Sequence, residues 1–446
     1  MKEFRIFCNE IKKIIENQSH LDIDLDIELA RNVISKLNEY LYTNHSEIGN
    51  IEKFGTTFDF FSDFHKLWHT HHKEILGCVI DEIKCEKVAD VLHDVYLQTN
   101  TEAFKSLWDT CGLSNEDVCR IRMLTANQDF RGSRKFSDFV NVFNDDYTIF
   151  DENKINDNPV EFLTTIGIAK LSQNDKRIDY AQNIANFILS HDCSPFEIID
   201  KYNRNISNLR DALINNNLGY GNKKADMFLR DIVVLGIWSN VDGFEKINVA
   251  SDVNTIKVAL RTGIIQTKIP LVSSFLDIFC YQYEYIDEIN AQAWRKVWEI
   301  WSQKYPNEKI DSPCLLDYFI YNVVGKQFCK EILTIFKGNN CDHVFKWHSA
   351  KNKTCQTCHK EGNKGQTAHV INKVLPCCDE EGYIAILQSM YVKALPEEQK
   401  ITKCPFIDIC TDKKHLMPPK SISIMGQTGW TTAYSKKGEG GGGLMA

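Results

Sequence analysis

Two short stretches hold the residues best suited to chemistry: Gly219-Tyr220-Gly221-Asn222-Lys223-Lys224 and, further along, Ser251-Asp252-Val253-Asn254. Glycine has no Cβ to hold a ligand off the backbone, so a G-x-G turn can bring its N–H groups against a phosphate. Two lysines follow at once, and a lysine held in a poorly solvated site loses its proton readily and becomes a nucleophile. Asp252 stands where a new helix begins, and a carboxylate there can stabilise positive charge or activate a nucleophile. Singly, these residues have plainer uses: glycines make turns, and an Asp before a helix caps it. Their order, an anion cradle followed by an amine and then an acid, points to chemistry on a phosphate-bearing substrate.

The elements that must position these residues read as helices. Asn215-Asn216-Asn217-Leu218-Gly219 is a helix stop, because Asn and Gly tolerate left-handed backbone angles. A new helix restarts near Asn222, giving helix, tight hairpin, helix. Helices are expected over 162–171, 180–189, 206–214 and 225–237, and Ser251 or Asp252 caps another over 253–260 that Arg261-Thr262-Gly263 ends. Trp294, Val297, Trp298 and Trp301 mark one amphipathic helix, and 315–336 supplies one or two more. Upstream, residues 1–150 also carry helical periodicity, with Phe60, Phe61, Phe64 and Trp68 as one apolar stripe. The crowded His69, His71 and His72 read as a solvated helix end. The polar run 145–158, with Pro159 behind it, reads as a linker. The expected fold class is mainly α, in four parts: an N-terminal helical region (1–150), a helical domain (151–337), a Cys/His-rich module (338–417) and a Gly-rich tail (418–446).

Composition sets outer bounds. The chain has 446 residues, 43% hydrophobic and 25% charged, enough for more than one hydrophobic core in an ordinary globular protein. No apolar run approaches the roughly 20 residues a membrane helix needs, so no membrane partner is expected. Met1-Lys2-Glu3-Phe4-Arg5 turns charged too early for a signal peptide, and a cytoplasmic location is the default. The net charge of −8 argues against a chain that coats nucleic acid over its whole surface. Lysines and arginines still gather locally, at Lys223, Lys224 and Arg230 and again over 346–373.

The hairpin, lysine and aspartate together resemble the helix-hairpin-helix superfamily of DNA glycosylases. In pattern they are closest to the archaeal 8-oxoguanine and endonuclease III-like members. The likeness is specific over 218–263 and extends to about 160–337. It implies a helical glycosylase core that holds double-stranded DNA with one nucleotide flipped out of the stack. It also implies that the chain excises a damaged or modified base, with or without strand cleavage at the resulting abasic site. The G-x-G-x-K turn assigns Gly219, Gly221 and Asn222 to the DNA phosphate, Lys223 to the nucleophile and Asp252 to the carboxylate. The archaeal members instead have a lysine followed four positions later by Phe, which selects Lys224 with Phe228 behind it. Gln173, in Leu171-Ser172-Gln173-Asn174, is similar to the amide residue that fills the gap left by the flipped base. Oxidised guanine is the first expectation for the substrate; a modified base of foreign DNA is the second.

Cysteine use separates the C-terminal part. Of sixteen cysteines, nine are scattered up to Cys329 in apolar surroundings and seven crowd between Cys341 and Cys410. Cys341-x-His343 and Cys355-x-x-Cys358 are two ligand pairs able to close a tetrahedral structural zinc site, with His348 and His359 as alternative ligands. Cys377, Cys378, Cys404 and Cys410 offer a second site, but their spacing departs from the iron–sulfur loop of the endonuclease-type glycosylases. A competing function follows from the same residues: a DNA-binding protein that uses the hairpin and the metal module without chemistry.

Overall fold

The computed structural model describes residues 76–105, 109–129, 134–169, 174–268, 284–329 and 404–410. It also describes strand segments at 51–53, 56–58, 332–338, 344–346 and 368–374, and a few isolated residues before 76. A two-stranded antiparallel hairpin, β1 (Ile51–Lys53) with β2 (Thr56–Phe58), comes first. Strand β3 (Val79–Ile80) then leads into α1 (Glu82–Thr99), whose cap Asp81 accepts from the Lys84 N–H at 3.1 Å. Cys85, Val88, Ala89, Leu92 and Val95 recur at helical spacing and form the buried face of α1. There follow α2 (Asn115–Thr125), α3 (Phe136–Asp145), α4 (Glu152–Asp157), α5 (Pro159–Thr165), α6 (Asn174–Ser190) and α7 (Ile198–Lys201). Next come α8 (Ile206–Asn215), α9 (Asn222–Val234) and α10 (Val253–Thr262), and then β4 (Ile265–Gln266), which pairs back with β3. The long α11 (Glu284–Lys304) and the short α12 (Leu316–Phe319) follow, and α12 runs on into a π-helical stretch, Ile320–Phe328. The chain is therefore mainly helical, as its periodicity implies.

Among the described residues, one hydrophobic core runs from Leu76 to Cys329 and takes in Cys404, Phe406 and Cys410. Helix α11 packs along α1, so the two ends of the helical region meet, and Lys296–Glu82 and Lys304–Asp90 ion pairs line the seam. Trp294 and Trp301 are wholly buried beneath it.

Two expectations are corrected. The run 145–158 is not a linker but a sequence of helix caps. Asp146 accepts from Thr148 N–H, Asp151 from Asn153 and Lys154 N–H, and Asn158 from Glu161 N–H, with Pro159 in the first helical turn. Capping residues are polar and turn-forming, so three in succession imitate a linker. Phe150 and Ile155 lie between them and are fully buried. The helix expected over 315–336 stops at Phe328, and Ile332–Gly338 is a strand, β5. Strand β5 is flanked by β6 (Val344–Lys346) and β7 (Ala368–Val374), both antiparallel to it.

The hairpin forms where its residue types require. Helix α8 stops at Asn215, Asn217 takes φ 53° and Gly219 takes φ 81°, the left-handed region. A Cβ on Gly219 would stand 2.5 Å from the Tyr180 ring, so glycine is needed there for space as well. Leu218 and Tyr220 turn into the core, and the Tyr220 hydroxyl donates to the Met123 carbonyl at 2.7 Å. Asn127 Nδ2 donates to the Leu218 carbonyl at 2.9 Å, tying the hairpin to the turn after α2. The Arg210–Asp226 ion pair joins α8 to α9.

Candidate active site

Helix α9 carries Lys223, Met227 and Arg230 on one face, three and four residues apart, and all three line a cavity of about 240 Å³. The wall opposite comes from the end of α2 and the turn beyond it: Arg122, Thr125, Gln128 and Asp129. The segment from α12 onward adds Asp317, Tyr318, Tyr321 and Asn322, and Arg134, Phe139 and Ile168 complete the rim. Asp252 enters from the start of α10. Lys223 and Asp252, separated by a helix and a loop in sequence, therefore face one space.

Lys224 lies on another face of α9 and is not a lining residue. Its ammonium donates to the carbonyls of Asn127 (2.8 Å) and Gly219 (3.0 Å), and burial pushes its pKa down to about 8. Phe228, four residues on, is fully buried between Tyr220 and Trp238. Lys224 thus fastens the hairpin to the turn after α2, and the residue that the archaeal pattern would choose as nucleophile does not line the cavity shared by Lys223 and Asp252. Lys223 departs from expectation in a different way: it is exposed rather than poorly solvated.

Asp252 is the N-cap of α10, as its position implies. Oδ1 accepts from the Asn254 and Thr255 N–H groups, both at 2.9 Å, and Oδ2 from Asn254 Nδ2 at 3.2 Å. Gly263, at φ 79°, ends the helix. One carboxylate oxygen is committed to the helix, and the other keeps accepting capacity. Asn222 opens α9 with its Oδ1 accepting from Arg210 Nη2 at 3.0 Å, and the space beside the Cα of Gly221 is open.

A buried ionic network forms the cavity floor. Arg230 bonds Asp231 through Nη2 (2.8 Å) and Nε (2.9 Å), and pairs with Asp317 through Nη1. Tyr318 lays its ring 4.1 Å from the guanidinium carbon and donates its hydroxyl to Asp231 at 2.8 Å. Burial pushes the Asp317 carboxyl up to about 6; Arg230 opposes this, Asp252 adds to it and Lys223 counters it. Asp252 and Lys223 therefore both act electrostatically on the same carboxyl group. Two buried acceptors in this wall, Gln128 Oε1 and Asp317 Oδ1, have no hydrogen-bond partner among the described residues.

Sequence reasoning missed Gln128, Asp129, Arg122 and Asp317, and treated Arg230 only as part of a basic cluster. One signal was present. Arg230-Asp231 and Asp317 interrupt apolar helical stripes, and a charge at a core position must find a buried partner.

Gln173 lies outside the described residues, as do His69, His71 and His72. So do the zinc ligands proposed from spacing, Cys341, His343, Cys355 and Cys358, and the residues Cys377 and Cys378. Cys404 and Cys410 are described: both are buried in a short turn whose Phe406 packs on Phe319. Among the described residues, no group of three or more His, Cys, Asp or Glu side chains could hold a metal ion. Nor is any helix among them long and apolar enough to cross a membrane.

No protein-family model matches the chain, and no curated protein shows significant similarity to it.

Proposed function

We propose that the chain is a DNA N-glycosylase with a helix-hairpin-helix core, excising a damaged or modified base through Lys223 and Asp252. The observation that carries this reading is the shared cavity: an amine and a carboxylate, each beside a helix start, line one space next to a glycine hairpin. The open side of Gly221 and the first N–H groups of α9 suit a phosphate oxygen. A bound duplex would also cover Lys223, supplying the desolvation that the free protein lacks.

In this mechanism Asp252 stabilises the positive charge that grows on the deoxyribose as the bond from C1′ to the base weakens. Lys223 gives a proton to water and its amine then bonds C1′, while the departing base nitrogen keeps the electron pair of the broken bond and takes up the proton that the alkylated amine sheds. Ring opening then gives a Schiff base, from which β-elimination breaks the strand. Gln128 Oε1 and Asp317 Oδ1 suit a base edge that presents N–H donors, since an unpaired buried acceptor costs about 1–3 kcal/mol. The zinc module belongs to the same proposal, with Cys341, His343, Cys355 and Cys358 as its ligands and no part in the chemistry.

Borohydride reduction on abasic-site duplex tests the reading. The wild-type chain is expected to form a covalent adduct, Lys224→Met to keep it and Lys223→Ala to lose it. An adduct that survives Lys223→Ala would reject the assignment. Base release with intact strands and no adduct would leave Asp252 as the catalytic group and Lys223 as a phosphate contact.

A further inference from the structure

A single amide of helix α11 bonds residues on both sides of Asp252. Asn290 is wholly buried, and its Nδ2 donates to Ser251 Oγ at 2.9 Å and to Thr255 Oγ1 at 3.0 Å. The hydroxyl of Thr255 also accepts from the Asp252 N–H (2.9 Å) and donates to the Asp252 carbonyl (3.1 Å). One proton and two lone pairs are thereby all used, so this hydroxyl has a single orientation. Ser251 is fixed likewise: it accepts from Asn290 and donates to Asp287 Oδ1 at 2.7 Å. One turn further along α11, Trp294 Nε1 donates to the Thr255 carbonyl at 3.4 Å.

An N-cap needs only its own side chain and the N–H groups of the first helical turn. Asp252 already has these, so the Asn290 bridge is not required to make α10 helical. What it adds is a second tether, from a different helix, on the residues immediately before and three after the acid. We infer that Asn290 is a positioning residue, which sets the Asp252 carboxylate toward the cavity through Ser251 and Thr255. The inference rests on the glycosylase reading, in which Asp252 acts at the sugar.

Asn290→Leu tests it. Leucine is close in size, and it also removes the Asn290 Oδ1, which has no partner among the described residues, so folding is expected to survive the change. The duplex used is whichever one the wild-type chain cleaves at the base in a panel of oxidised, alkylated and deaminated bases. Misplacing a catalytic group by about 1 Å costs on the order of 100-fold. Single-turnover base release by Asn290→Leu is therefore expected to fall about 10- to 100-fold. Duplex affinity, and Lys223 trapping on preformed abasic DNA, should stay within about threefold, because neither needs the acid to break the glycosidic bond. Ser251→Ala removes the other end of one tether, and its loss should not multiply with that of Asn290→Leu. Wild-type release rates in Asn290→Leu would overturn the inference. So would a parallel fall in release, trapping and affinity, which marks a merely structural residue. If the wild-type chain itself releases no base from the panel, the glycosylase reading fails first.

Discussion

Asp252 is asked to do two jobs, and two substitutions separate them. Its carboxylate caps α10 by accepting from the Asn254 and Thr255 N–H groups. Asparagine can make the same two bonds through its carbonyl oxygen, and Asn and Asp cap about equally well. Asp252→Asn should therefore shift stability by only a few tenths of a kcal/mol. Asp252→Ala removes both bonds and should cost about 1 kcal/mol, which in a helical region of this size lowers Tm by roughly 2–4 °C. Catalysis divides differently. Neither Asn nor Ala carries the negative charge, so both should slow base release by about 10²–10⁴-fold, the usual range for a lost acid–base group. Thermal melts paired with single-turnover base release on duplex DNA make the comparison. If Asp252→Asn melts like the wild type and releases base at the wild-type rate, Asp252 is a cap and nothing more. If Asp252→Asn melts as low as Asp252→Ala, the capping argument is wrong.

The two hairpin glycines should also behave differently. Gly219→Ala meets the Tyr180 ring and a positive φ, and is expected to lose about 1–3 kcal/mol in denaturant titration. Gly221→Ala has open space and an ordinary φ of −95°, so it should melt normally while duplex affinity falls, as read by fluorescence anisotropy. Asp317 titrates near pH 6. Above that pH its free oxygen accepts a hydrogen bond; protonation as pH falls through about 6 turns the group into a donor. Substrate binding is therefore expected to weaken on the acid side, and Asp317→Asn should abolish that dependence. Lys224 is held at a pKa of about 8, below the ordinary lysine value of 10.5. Between these values the unfolded chain binds more protons, so stability contributed by this group rises with pH above about 8. Urea melts of Lys224→Met from pH 7 to 10 should lack that rise.

The hairpin, the Asp252 cap and the Gly263 stop were legible in the sequence because each is decided within a few residues. Turn glycines and capping acids act on backbone groups next door, so their spacing carries their meaning. The choice between Lys223 and Lys224 was not legible in the same way. It turns on the helical phase of α9 relative to a cavity whose other walls come from the end of α2 and from α12 onward. The Arg230–Asp317 and Arg210–Asp226 pairs escaped for the same reason, since each joins residues on different helices. The stretch 145–158 misled because caps and linkers draw on the same residue types. The helix α6 was foreseen near its right place, whereas strand β5 was hidden inside an apolar run that fits a helix equally well.

The seam between α1 and α11 has a consequence for how the molecule is made. A ribosome releases α1 some two hundred residues before the helix that packs along it, so Cys85, Val88 and Leu92, buried in the folded chain, are made long before that cover arrives. Fragments ending before Glu284 should therefore emerge sticky and depend on chaperones, and two halves expressed separately should find each other along that face.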